Sequence, residues 1–135
     1  MNSEKPKNQK SIVMVDDNND NQKLYKALFN QKNYKFTFIN SSLTFLEKLH
    51  KKELNQTSII ILDYNIDEHH HGIDLLIKIR KKNIFIPTII FSSTASEELK
   101  KHDFSSLIPV FYLDKIDYGG KKLINFCESI LFNIN

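Results

Sequence analysis

Four short apolar segments of this chain stop at residues that can do chemistry. Ser11-Ile12-Val13-Met14-Val15 runs into Asp16-Asp17, and Ser58 to Leu62 runs into Asp63. Ile86 to Phe91 runs into Ser92-Ser93, and Val110 to Leu113 into Asp114-Lys115. If these segments are parallel strands of one sheet, three carboxylates, a hydroxyl and an ammonium share one edge. Crowded carboxylates repel and raise one another's pKa values unless something neutralises them. A hard divalent cation is the usual solution. Mg²⁺ keeps several waters, takes one or two carboxylates and fills its shell with phosphate oxygens. A lysine and a hydroxyl nearby contact those same oxygens and stabilise a phosphoryl group in transfer. One aspartate, acting as nucleophile, can form an acyl phosphate. Asp63 stands alone at the end of the strand expected to be central, which makes it the nucleophile. Asp16 and Asp17 are adjacent, diverge on a strand, and suit metal binding. Ser92 and Lys115 are then the phosphoryl contacts.

The elements that must position these residues alternate along the chain. Residues 1–10 read as a flexible, solvated tail and 11–135 as one domain. The first and third strands are continuous apolar runs, as expected for strands buried on both faces, and Ile86 to Phe91 is a fourth with Pro87 near its start. Tyr34 to Ile39 alternates, which suggests a strand with one less buried side at a sheet edge. Between them, Leu24, Tyr25, Leu28 and Phe29 mark a helix from Asn18 to Gln31, with N-cap candidates from Asn18 to Asn21. Ser41-Ser42 caps a second helix carrying Leu43, Leu46 and Leu49. A polar loop to Gly72 precedes a third, with Ile73, Leu76, Ile77 and Ile79. Arg80-Lys81-Lys82 closes it and suits the negative end of the helix dipole. Thr94 or Ser96 caps a short fourth helix through Lys101, and a single last helix runs from about Asp117 to Phe132. The pattern is (βα)₅. It implies an α/β fold with a parallel sheet covered on both faces and right-handed crossovers. Ligands in such sheets bind at the carboxyl ends of the strands.

Composition narrows the class. The chain has 135 residues, 41% hydrophobic and 26% charged, enough for one packed domain. A net charge of +3 and a pI near 8.9 fall short of a nucleic-acid binder. The paired lysines are scattered over separate helices, so no direct DNA binding is expected. The lone Cys127 excludes an internal disulfide and suits a reducing compartment. With no membrane-length apolar run and no signal-like N-terminus, the expected location is the cytoplasm.

In this order, the residues resemble the receiver domain of two-component response regulators, the CheY-like family. The acidic pair appears as Val15-Asp16-Asp17-Asn18 and the acceptor strand as Ile60-Ile61-Leu62-Asp63-Tyr64-Asn65. The Gly-containing turn and helix appear as Gly72 to Arg80. The fourth strand is Ile86-Pro87-Thr88-Ile89-Ile90-Phe91-Ser92-Ser93, and the fifth is Val110-Phe111-Tyr112-Leu113-Asp114-Lys115. The resemblance implies a flavodoxin-like, doubly wound five-stranded sheet of order 2-1-3-4-5. It implies that Asp63 takes a phosphoryl group from a sensor histidine kinase or histidine phosphotransfer protein. Asp17, Asp63 and the Asn65 backbone carbonyl would hold Mg²⁺, with Asp16 helping through water. Ser92 would bond the phosphoryl oxygen, Lys115 would pair with it, and Tyr112 would turn inward as a switch. The face of fourth helix, fifth strand and last helix would then change its preference for a downstream protein, a population shift between two states. Such a chain is a stand-alone signalling phosphoacceptor rather than an enzyme, and dimerisation is open.

The family pattern is not fully kept. The family's Met-Pro in the loop after the acceptor is absent: the loop is Ile66-Asp67-Glu68-His69-His70-His71-Gly72, without proline and one residue longer. The proline after the family's lysine is Ile116 here, and a cis bond before a non-proline costs about 3 kcal/mol, so a trans Lys115–Ile116 bond or a locally altered loop is expected. These departures support the alternative of a pseudo-receiver, an interaction module that is never phosphorylated. Adjacent histidines do not converge on one ion unaided, so His69 to His71 read as a solvated loop. A covalent-aspartate phosphatase wants Asp-x-Asp after its first strand, and a flavin carrier wants a hydroxyl- and glycine-rich loop there. Asp16-Asp17 matches neither.

Overall fold

The computed structural model describes residues 9–93 and 103–132. Five parallel strands, β1 (Ser11–Val15), β2 (Lys35–Ile39), β3 (Ile59–Asp63), β4 (Thr88–Ser92) and β5 (Val110–Asp114), form one sheet of order β2-β1-β3-β4-β5. This is the doubly wound, flavodoxin-like fold. Side chains of a strand alternate between faces, and the core divides accordingly. Val13, Val15, Ile60, Leu62 and Ile90 pack with Phe45 and Leu49 of helix α2 (Ser42–His50) and Leu75, Leu76 and Ile79 of helix α3 (Gly72–Lys81). On the other face, Ile12, Met14, Ile59, Ile61, Ile89 and Phe91 pack with Tyr25 and Phe29 of helix α1 (Asn19–Gln31). Leu123, Ile124 and Cys127 of the last helix (Lys121–Phe132) close that side. The buried faces are turned slightly from the expected ones: Leu24, Leu43 and Ile77 are exposed. Phe45 and Leu49, four apart, and Tyr25 and Phe29, four apart, form the seams instead.

Local chemistry sets the element ends. Asn18 caps α1, its Oδ1 accepting from the amides of Asp20 and Asn21. Ser41 caps α2 through the Thr44 amide at 3.1 Å. Pro87 lies just before β4, so the strand is shorter than Ile86–Phe91 and reaches Ser92. Asp63 likewise belongs to the last position of β3 rather than to the loop beyond it.

Two expectations change. The single last helix from Asp117 is two: a short helix, Lys115–Tyr118, and the last helix from Lys121. Gly119 is extended and Gly120 has φ +66°, a left-handed conformation that favours glycine and breaks the helix. Arg80 is no solvated helix-end charge. It is buried and donates to the carbonyls of Leu107 (2.8 Å), Ile84 (2.9 Å) and Pro109 (2.7 Å) and to Thr88 Oγ1 (3.3 Å). It ties the end of α3 to the entries of β4 and β5. The expected tail overlaps the described residues only at Gln9 and Lys10, where the Lys10 carbonyl accepts from Lys35 at 2.9 Å. The expected helix through Lys101 lies outside the described residues. No helix among those described is long and apolar enough to cross a membrane.

Candidate functional site

Parallel register brings the ends of β1, β3, β4 and β5 to one edge. Asp63 pairs in register with Phe91, and Ser92 with Asp114. Asp16 follows β1 directly, and Lys115 follows β5 as the first residue of the short helix. Asp114 caps that helix, its Oδ1 accepting from the Ile116 amide at 2.7 Å. The Lys115–Ile116 bond is trans, as expected, since the one cis bond among the described residues is Ile108–Pro109.

Asp16, Asp17 and Asp63 each present a carboxylate oxygen within 4.8 Å of the others. Asp16 is 3% exposed and fully engaged: Oδ1 accepts from the Asn18 amide (2.9 Å) and Oδ2 from Asn21 Nδ2 (2.8 Å). Asp17 is exposed. Lys115 Nζ lies 3.2 Å from Asp63 Oδ1, 3.8 Å from Asp16 Oδ2, and 5.5 Å from the centre of the Phe91 ring. Three carboxylates thus face one ammonium. Burial pushes the Asp63 carboxyl up to about 6, against the pull of Lys115 and with the push of Asp16. A cluster of oxygen donors with surplus negative charge suits a small hard cation, so the residues present fit Mg²⁺.

Ser92 is buried at the same edge. Asn65 is exposed, two residues past Asp63, and forms an isolated antiparallel bridge with His71. Tyr112 is not in the cluster. It is 42% exposed on β5, its ring 5.3 Å from that of Phe104.

The loop after Asp63 is more ordered than a solvated loop. Ile66 is fully buried, and the Gly72 amide donates to the Tyr64 carbonyl at 2.8 Å. A Cβ on Gly72 would lie 2.5 Å from the Asp63 carbonyl oxygen, so only glycine allows α3 to start this close to the acceptor strand. Asp67 and His70 join a network with Ser42, and His71 stacks on Tyr64. The sequence reading missed the roles of Asp67 and of Asn21. Their signals were an acidic residue in a loop that lacks the family's proline, and an amide one turn into a helix that begins beside a carboxylate.

Comparison with known proteins agrees with this geometry. The Francisella response regulator 1452 receiver domain is 26% identical, with a TM-score of 0.76, over 93% of this chain and 98% of that one. A CheY-like receiver from Methanospirillum hungatei JF-1 is 19% identical, with a TM-score of 0.74, over 93% and 95% of the two chains. The receiver domain of a Pseudomonas aeruginosa sensor histidine kinase, solved with magnesium in its active site cleft, is 18% identical, with a TM-score of 0.70, over 89% and 95%. No curated protein matches the sequence. Residues 12–107 match the family described as "Response regulator receiver domain". With the strand order and acidic edge already described, the chain belongs to the response regulator receiver domain family.

Proposed function

We propose that this receiver accepts a phosphoryl group on Asp63 from a phosphohistidine of a sensor kinase or phosphotransfer protein, in the cytoplasm, and signals through a protein partner. The observation that carries the reading is the Lys115–Asp63 ion pair at 3.2 Å inside the three-carboxylate cluster. An Asp63 oxygen attacks phosphorus, the P–N bond breaks with its electron pair leaving to the imidazole, and an aspartyl phosphate forms. Lys115, already beside that oxygen, exchanges its carboxylate contact for the new phosphoryl oxygens. Ser92 ends the neighbouring strand and supplies a hydroxyl donor. Asp17, Asp63 and the Asn65 carbonyl are the residues that would hold Mg²⁺, which when bound supplies the positive charge that neutralises the transferring group. Asp16, its oxygens held by Asn18 and Asn21, sits back from the solvent side and acts through water. Tyr112 lies outward against Phe104, and we expect phosphorylation to draw it in. The chain is a phosphoacceptor, not a turnover enzyme.

The test is incubation with Mg²⁺ and acetyl phosphate, followed by intact mass of wild type and Asp63→Asn. One phosphoryl group on wild type alone, labile to hydroxylamine, is expected. Equal labelling of both proteins would sink the assignment of Asp63. No labelling and no Mg²⁺ binding would leave the pseudo-receiver, a constitutive interaction module.

A further inference from the structure

Asp67 organises the loop beyond the acceptor. Its Oδ2 accepts from the Ser42 amide at 2.7 Å. Its Oδ1 accepts from Ser42 Oγ (2.9 Å), the His69 amide (2.9 Å) and the His70 amide (3.1 Å). Burial alone would raise its pKa, but the bonds from Ser42, His69 and His70 outweigh it and hold the carboxyl below its ordinary value. Ser42 is fully buried as the first residue of α2, where the helix dipole also favours a carboxylate. His70 Nδ1 lies 2.9 Å from Ser42 Oγ. An ionised carboxylate only accepts, so the single Ser42 hydroxyl hydrogen goes to Asp67, and His70 Nδ1–H donates to Ser42. Asn65 forms the neck of this loop through its bridge with His71, beside the Gly72–Tyr64 bond, two residues before the anchored tip.

Resting on the proposed Mg²⁺ role of the Asn65 carbonyl, we propose that Asp67 is a positioning residue: it clamps the loop to the start of α2 and thereby sets Mg²⁺ affinity. It does so from outside the cluster of Asp16, Asp17 and Asp63 that converges on the cation position. Both carboxylate oxygens are needed. The isosteric amide of asparagine must turn its NH₂ towards either the Ser42 amide or the His69 and His70 amides, donor against donor.

The test uses the intact chain: calorimetric titration with Mg²⁺ alone for wild type, Asp67→Asn and Ser42→Ala, at a temperature where melts show all three folded. Amide hydrogen exchange at His69 and His70 is measured in parallel without metal. Asp67→Asn is expected to weaken Mg²⁺ binding about tenfold, the low end for groups that support metal ligands, and to deprotect both amides. Ser42→Ala keeps the amide donor and should lose less. A purely structural role would lower the melting temperature of Asp67→Asn with its Kd unchanged, and that result overturns the proposal. Retained protection of both amides overturns it as well. A wild type that binds no Mg²⁺ overturns the proposed function and this inference together, whereas tight wild-type binding with an unaffected Asp67→Asn overturns the clamp alone.

Discussion

Asp63→Asn is expected to stabilise the metal-free protein at neutral pH, and the gain is expected to vanish in acid. The Asp63 carboxyl ionises near 6 in the folded chain, against about 3.9 in an unfolded one. The folded state therefore holds a proton that the unfolded state has released between roughly pH 4 and pH 6. Stability from this group is present below about pH 4, falls as pH rises through 6, and is fully lost above it. Two units correspond to about 3 kcal/mol at most. The site opens to water through the exposed Asp17, so screening reduces this to about 1–2 kcal/mol. Asparagine keeps the shape without the charge, and Lys115 retains Asp16 at 3.8 Å as its ionic partner. For a domain of 135 residues, the gain is a rise in Tm of roughly 3–8 °C at about pH 7.5 and none at about pH 4. Saturation with Mg²⁺ should reverse the order. Wild type gains about 2.7 kcal/mol at a hundred times its Kd, more than its disadvantage, and the variant, lacking one ligand, gains far less. The chain has no tryptophan, so calorimetry or circular dichroism is the suitable readout. A Tm difference that does not change with pH, or a variant less stable than wild type at neutral pH, would refute the claim that the ionised carboxylate is held at a cost.

Arg80→Ala should cost about 2–4 kcal/mol, because it strips charged donors from three part-buried carbonyls and the buried Thr88 hydroxyl; denaturant melts measure this, and Arg80→Lys should recover little, since a single ammonium cannot span them. Gly72→Ala gains under about 1 kcal/mol of helix propensity but drives a Cβ to 2.5 Å from the Asp63 carbonyl oxygen. Net destabilisation of about 1–3 kcal/mol, with weaker Mg²⁺ binding, is expected in melts and titration. Burial pushes the Cys127 thiol up to about 12, so a thiol reagent should modify the native protein only as fast as it opens, and in one burst after denaturation. Nitration of Tyr112 should slow when Mg²⁺ and acetyl phosphate are added; an unchanged rate would remove it as a switch.

The sheet was legible because its signals are local and strong. Val13 to Val15, Ile59 to Leu62 and Ile89 to Phe91 are apolar without interruption, which only strands buried on both faces require. The weaker alternation of β2 marked the edge strand it is. The converging aspartates were legible for the same reason, since parallel strands must bring their carboxyl ends together. What escaped depends on partners far apart in sequence. Ser42 and Asp67 are separated by 25 positions and Arg80 and Pro109 by 29, and the acceptors of Arg80 are mostly carbonyls, which no residue pattern encodes. Arg80 also sat in a basic run where a dipole role sufficed. The break at Gly119-Gly120 is a different case. Its signal was present, but the apolar spacing from Leu123 onward was extended backwards through it.

The polar groups that escaped also explain how the acidic cluster persists. Three carboxylates against one ammonium are unfavourable without a cation, and a flexible site would relieve the repulsion by moving apart. Here Asp63 cannot retreat: it ends a strand whose other four residues are buried, with Gly72 packed on its carbonyl oxygen. Asp16 is held at both oxygens by Asn18 and Asn21. The loop that follows Asp63 is anchored at its tip by Asp67 and at its neck by Gly72. The repulsion therefore stays stored, to be released when positive charge enters. A site arranged this way would bind a cation more tightly for being unable to relax without one, because the ordering of its ligands is completed during folding.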